Sequence, residues 1–459
     1  MNKLKLKFYG GADSVTGANF LLESKKTRIL VDCGIEQGSN QKCLLDPNRE
    51  EFNYDPKKID YLVVTHAHAD HIGKIPKLVK DGFRGVIIST PATFELSKIM
   101  YEDALAVMKN EAMKCNIEPI YNDSDVRLTL ALWEKLPYYQ DKILNNDFKI
   151  DFKNAGHILG SAIVSLNYLK TGENVVFTGD LGNSPSPLIR DVDYIEDADY
   201  LIMESVYGDK NHENKEQRNF NLKEIINKVI ERRGTLLIPV FSLEKTQVLL
   251  HELNDLVEGG EIKSVPIFFD SPLGIKLTEV YAKEFENFND EVQDKIMSGD
   301  NVFDFPRLIK TIDKKDVVEI LKTPPPKIII ASSGMSVGGR IIEHEMKYLP
   351  DPRNAILFIG YQSLGSLGRD ILEKKPILNI YNKKIQLKAE VLKVDGYSSH
   401  MDSEMLVDYV SKSKETLKKV FVVMGEQESA TFLANKITQD LKIEAILPTK
   451  GEEITLSDK

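Results

Sequence analysis

Cysteine is scarce in this chain: three residues in 459, Cys33, Cys43 and Cys115. The number is odd and no CxxC spacing occurs, which argues against a disulfide framework and a cysteine-built zinc site. It points instead to a reducing compartment, the cytoplasm. Long apolar runs are also missing. The longest, such as LLIPVF at 236–241, fall far short of the about 20 residues that span a bilayer, so no membrane association is expected. The N-terminal MNKLKLKFYGG alternates lysine with apolar residues and reads as a strand, not a signal peptide. Basic charge is not in excess either: 60 Lys and Arg face 70 Asp and Glu, a net −10. A protein that gripped nucleic acid over its whole surface would be basic. Any such contact here must be local and helped by bound cations. Internal repeats and low-complexity tracts are absent as well.

What is present fits a globular protein of two or three domains: 42% hydrophobic and 28% charged residues. Short β-rich runs alternate with helical spacing over the first 200 or so residues, an α/β layered pattern. LKLKFYG, NFLLES, TRILVDCG, DYLVVTH and GVIIST read as strands, and residues 92–116 as a helix. A polar, linker-like stretch follows at 209–219. Leu222, Ile225, Ile226, Val229 and Ile230 then mark an amphipathic helix. GTLLIPVF, VPIFFDSP, KIIIAS and AILFIGYQ are buried runs of the parallel-sheet kind.

Thr65-His66-Ala67-His68-Ala69-Asp70-His71 puts four good ligands within six residues, directly after a buried strand. His66 and His68 can point one way from an extended end, while Asp70 and His71 reach a neighbouring position. Imidazole with carboxylate suits Zn²⁺, with Mn²⁺ or Fe as alternatives. Two further segments supply what such a site still needs. AGHILGS (155–161) sets His157 between glycines, and VVFTGD (175–180) sets Asp180 just past a strand. Together they complete three histidines around one metal, with a carboxylate able to bridge two. Asp32, ending TRILVDCG, fits a carboxylate that orients a ligand histidine.

HAHADH, GHILGS and TGDLG resemble the successive motifs of the metallo-β-lactamase superfamily. The resemblance implies an αββα sandwich with one metal on His66, His68, His157 and Asp180, and a second on Asp70, His71 and Asp180. Later stretches are similar to its β-CASP nucleases: MESVYGDKNH (203–212), IPVFSLEKTQVLL (238–250), FDSPLG (269–274), ASSGMSVGGR (331–340), GYQSLGSLGR (360–369) and DGYSSHMD (395–402). That likeness implies a metallo-β-lactamase domain at 1–207, completed by 376–459, around an inserted α/β β-CASP domain at 208–375.

The same likeness implies a metal-dependent ribonuclease acting on single-stranded RNA through metal-activated water, with zinc or manganese as cofactor. Asp70 would orient the water, His400 would act as general acid and Glu204 would position it. The small residues Ser332, Ser333 and Gly334 could bring backbone N–H groups to a phosphate. Residues 369–393 hold seven basic side chains against three acidic ones, a candidate phosphate track or a solvated face. His344 and His212 have no argued partner and read as surface histidines. The strand KVFVVMGEQES departs from the family at Met424, where a histidine usually completes the second metal. Thioether is a weak ligand for Zn²⁺, so one ion, or a weakly held second, is expected. Two alternatives stay open: an inactive RNA-binding subunit, and a hydrolase of a small ester or thioester. RNA against DNA and endo against exo cutting are likewise open, and the resemblance allows a homodimer.

Overall fold

The computed structural model describes residues 3–37, 43–212, 217–313 and 315–456. Part of the polar stretch at 209–219, residues 213–216, lies outside them. The chain forms two compact units, one of residues 1–211 with 400–459 and one of residues 212–399.

Two seven-stranded sheets build the first unit. One runs in the order Glu453–Leu456, Leu4–Gly10, Asn19–Glu23, Arg28–Val31, Tyr61–Val63, Val86–Ser89 and Trp133–Lys135. The other runs Ala445–Ile446, Lys419–Val422, Tyr200–Met203, Asn174–Phe177, Ala162–Tyr168, Phe148–Asn154 and Lys142–Leu144. Period-two alternation sorts their side chains. Val175 and Phe177 join Phe8, Phe20, Val31 and Val63 in the core between the sheets. Val176, Leu201, Met203, Val420 and Val422 turn the other way, in a core shared with Leu406, Tyr409 and Val410 of helix Ser403–Lys412 and Leu433 and Ile437 of helix Gln427–Leu441. Sheet against sheet with helices outside is the expected αββα sandwich. The N-terminal strand alternates as read, with Leu4, Leu6 and Phe8 buried.

A six-stranded parallel sheet organises the second unit, in the order Leu308–Lys310, Ile267–Asp270, Lys327–Ala331, Thr235–Pro239, Ala355–Phe358 and Glu390–Lys393. Residues 390–393 therefore pair within this unit, although the sequence reading returned the chain to the first domain at 376. The run 369–393 includes a two-stranded ribbon, Ile377–Ile380 with Lys383–Gln386. Arg369 pairs with Glu373 and Lys375 with Asp370, while Lys374, Lys383, Lys384 and Lys388 are exposed.

Two expectations are corrected. Cys43 and Cys115 form a disulfide, so the odd cysteine count hides a pair 72 residues apart. The end of helix Pro91–Cys115 meets the turn Cys43–Leu45, and sequence spacing carries no sign of that approach. The cysteine argument for a reducing compartment thereby loses its footing. Only Cys33 remains a thiol, buried, with burial pushing its pKa up to about 12. His344 is not a surface residue: it is 2% exposed, with Nε2 2.7 Å from Asp270 Oδ2. Helix Ile341–Tyr348 turns it inward beside Ile341, Ile342 and Glu345. No helix among the described residues is long and apolar enough to cross a membrane.

Candidate metal centre

Every residue of the centre sits at or just beyond a strand end of the first unit. The segment 65–71 follows strand Tyr61–Val63 and is tied down by its backbone. Cys33 N–H donates to His71 O, Ile35 N–H to Ala69 O, and Ala18 N–H to Asp70 O. Gly34 is required at that seam, because a Cβ there would lie 1.5 Å from Asp70 O. His157 is fixed from strand Phe148–Asn154, its N–H donating to Ser161 Oγ at 3.1 Å. Asp180 follows strand Asn174–Phe177 through Gly179, whose φ of +55° and closeness to Thr65 exclude a side chain.

Four ligand atoms converge. His66 Nε2 lies 3.1 Å from His68 Nδ1, and His157 Nε2 lies 3.2 Å from the same atom. Asp180 Oδ2 is 3.5 Å from both His66 Nε2 and His157 Nε2. Ligands at about 2.0–2.1 Å from a tetrahedral zinc stand about 3.3 Å apart, which these distances bracket. Burial, then the charge of His71, holds His66 well below its ordinary pKa, so it offers a neutral lone pair.

Beside this set, His71 Nε2 and Asp180 Oδ1 face each other at 3.5 Å. Both are buried without a hydrogen-bond partner. Such atoms are costly in a folded protein, and a bound cation would satisfy them. Burial favours a neutral Asp180, but His71 and His66 outweigh it and hold the carboxyl well below its usual range. The residues present therefore fit a divalent metal ion. Asp70 is half-exposed in the turn Ala69–Ile72 and does not join Asp180 and His71 in a group within 4.8 Å.

Asp32 stands where the sequence reading put it, behind the ligands. Its Oδ2 is 2.7 Å from His71 Nδ1 and accepts from Thr65 Oγ1 at 2.7 Å, while its Oδ1 accepts Thr65 N–H at 2.8 Å. Thr65 had been given no role. Its hydroxyl, also 3.0 Å from His66 Nδ1, links the two histidines to one carboxylate.

On the other side of the ligand set, Glu204 ends strand Tyr200–Met203. Its carboxylate lies 3.1 and 3.2 Å from His400 Nδ1 and accepts Leu181 N–H at 2.7 Å. Burial, opposed by His400, raises the Glu204 pKa. The His400 and His157 ring centroids are 4.6 Å apart. Asp180, Glu204 and His400 also lie close enough together to share a cation. Met424 is 3% exposed, in the core between the sheets. Its N–H donates to Gly11 O, and its sulfur packs against Gly11, where a Cβ would come within 2.5 Å. It lines a small cavity shared with His71, Asp32 and Glu204.

Ser332, Ser333, Gly334 and the buried His344 belong to the second unit.

Three family models match the chain: the Metallo-beta-lactamase superfamily over residues 15–222, the Beta-Casp domain over 246–371, and the Zn-dependent metallo-hydrolase RNA specificity domain over 384–448. A ribonuclease of Thermus thermophilus is 33% identical, covering 98% of this chain and 97% of its own. An RNase J-like protein of Methanocaldococcus jannaschii is 32% identical, over 97% and 98%. A transcription termination factor of Methanosarcina mazei is also 32% identical, over 97% of this chain and 71% of its own. Among solved structures, a protein of unknown function from Enterococcus faecalis matches with a TM-score of 0.58 at 12% identity, over 99% of this chain and 100% of its own. That last likeness is one of fold.

Proposed function

This chain belongs to the metallo-β-lactamase superfamily, in its β-CASP branch, and is a metal-dependent hydrolase; we propose that it hydrolyses phosphodiester bonds of single-stranded RNA. The observation that carries the reading is the pairing of the four-ligand set with His400, held by Glu204 on its flank. The relatives named as ribonuclease and RNase J-like support RNA as substrate, as does the RNA specificity domain match.

His66, His68, His157 and Asp180 would hold a zinc or manganese ion, and His71 with Asp180 Oδ1 would contact a second. Such an ion supplies a Lewis acid and lowers the pKa of water to near neutrality. Asp32 locks the His71 ring through Nδ1, which leaves Nε2 as the outward atom. Asp70, at the rim, orients the attacking water. His400 is anchored at Nδ1 by Glu204, so Nε2 is the atom that delivers a proton to the leaving 3′-oxygen. Met424 brings a thioether beside His71 where an imidazole would complete a second site. The first ion is therefore held tightly and the second weakly or not at all. Met424 also favours a second reading, a weakened or inactive RNA-binding subunit.

Metal content and cleavage of end-labelled single-stranded RNA, measured together on wild type and His157→Ala, separate the two. Cleavage that requires metal and disappears in the variant supports the nuclease, and product lengths then distinguish endo from exo cutting. Metal retained without cleavage, under both Zn²⁺ and Mn²⁺, overturns it in favour of the inactive subunit.

A further inference from the structure

Three hydroxyls gather at the carboxyl ends of central strands in the second unit. Ser242 follows Thr235–Pro239, Ser271 follows Ile267–Asp270, and Ser332 follows Lys327–Ala331. Ser332 Oγ lies 2.5 Å from Ser271 Oγ and 2.8 Å from Ser242 Oγ. Ser271 is buried and also accepts Gly274 N–H at the start of helix Pro272–Lys283. Open parallel sheets take their ligands at this edge.

Lys245 supplies a cation within the same segment as Ser242. Its amine lies over the Phe241 ring, 4.9 Å from the centroid, and a Cβ on Gly360 would approach it to 3.1 Å. Burial alone acts on it, pushing its pKa down to about 8, with no carboxylate to offset the effect. The backbone between Ser242 and Lys245 is strained. Glu244 has φ 64° and ψ −63°, and Lys245 N–H donates to Leu243 O at 2.9 Å. This is a γ-turn of the uncommon, costly kind, which persists where the surroundings hold it. Tyr281 Oη holds it here, donating to the buried Glu244 Oε2 at 2.5 Å.

The neighbouring loop is less free to bind an anion. Ser333 N–H donates to Gly338 O at 3.3 Å, and Ser333 Oγ accepts Val337 N–H at 3.0 Å. Gly334 packs on Phe241, where a Cβ would meet the ring at 2.6 Å. Of Ser332, Ser333 and Gly334, only Ser332 joins the hydroxyl cluster. We propose that Lys245, Ser242, Ser271 and Ser332 form a phosphate subsite that holds a backbone phosphate of the polynucleotide. An amine out of water without a counter-ion is costly, an anion relieves that cost, and hydroxyls rotate to donate to it. The proposal rests on the ribonuclease reading.

Binding and cleavage of a short fluorescent single-stranded RNA test it, with the full-length protein as wild type, Lys245→Ala, Lys245→Arg and Ser332→Ala. Bis(p-nitrophenyl) phosphate serves as a substrate too small to reach a second phosphate site. Lys245→Ala is expected to raise KM for RNA roughly tenfold or more and to flatten the salt dependence of binding by about one unit of slope. The change on the small diester is much smaller, metal content stays at the wild-type level, and Lys245→Arg recovers part of the loss. Ser332→Ala shifts KM in the same direction by less. Unchanged RNA affinity in Lys245→Ala and Ser332→Ala overturns the subsite, as does equal loss on both substrates. If wild type neither binds nor cleaves RNA, the ribonuclease reading itself falls and the subsite with it.

Discussion

At the strand ends of the first unit, imidazole nitrogens and carboxylate oxygens converge on one another; at those of the second, hydroxyls and an amine do. The first set is rich in acceptors, with His71 Nε2 and Asp180 Oδ1 unsatisfied. The second is rich in donors, with Lys245 facing no carboxylate. One edge suits a cation and the other an anion, in a chain whose net charge of −10 describes neither. Two buried aspartates sharpen the contrast. Asp270, in the second unit, receives Arg340 Nη1 at 2.6 Å, Thr311 Oγ1 at 2.6 Å and His344 Nε2 at 2.7 Å. Its charge is compensated within the fold. Asp180 keeps an oxygen without a partner. A carboxylate whose bonds are complete holds a protein together, and one left incomplete is available to a ligand.

The contrast can be broken at several points. Changes near the metal centre have the largest expected effect on turnover. His400→Ala is predicted to lower kcat on RNA by about 10²–10⁴, the range for loss of a general acid, while the ion content stays the same. Steady-state kinetics with metal analysis on the same samples checks this. Loss of metal in parallel would instead place His400 among the ligands, beside Asp180 and Glu204. Asp32→Asn is expected to have the next largest effect, weakening metal affinity about 10- to 100-fold because His71 loses its orienting charge. Competition with a fluorescent chelator measures this. Asp270→Asn is the control. It disturbs a network of comparable burial and should lower stability without moving metal affinity. Equal shifts in the two variants would erase the distinction between them.

The metal edge was more legible than the rest because its ligands cluster in sequence. His66, His68, Asp70 and His71 share one loop, and strand ends mark Asp32, Asp180 and Glu204. What stayed hidden depends on distant partners. His344 finds Asp270 across 74 positions, and no local pattern in helix Ile341–Tyr348 announces it. Cys43 and Cys115 are hidden in the same way. Residues 390–393 could not be assigned to a sheet, since a half-exposed edge strand alternates alike in either unit. The serine cluster with Lys245 left no periodic trace, because serines end many strands and only the fold brings these three together.

Glu345 lets the second unit be probed without touching the chemistry, and its variant should change turnover least. It is fully buried, its Oε1 accepting from Ser336 Oγ at 2.5 Å while its Oε2 has no partner. Burial pushes its pKa from 4.5 up to about 8, against a small opposing pull from Ser336. The folded chain therefore keeps the proton in a range where the unfolded chain has lost it. The stability this proton contributes is complete below pH 4.5 and is lost as pH rises to about 8, at up to about 1.4 kcal/mol per pH unit. Lys245 and Lys327, both depressed to about 8, act in the opposite sense above that pH, so the window of interest ends there. Glu345→Gln carries no ionisable group and should flatten the slope between pH 5 and 8. Its advantage over wild type should be greatest at the alkaline end. Urea unfolding across that range, with hydrogen exchange followed in helix Ile341–Tyr348, reads the difference. A wild-type slope that survives the substitution would mean that another group titrates, and that Glu345 is ionised in its buried position.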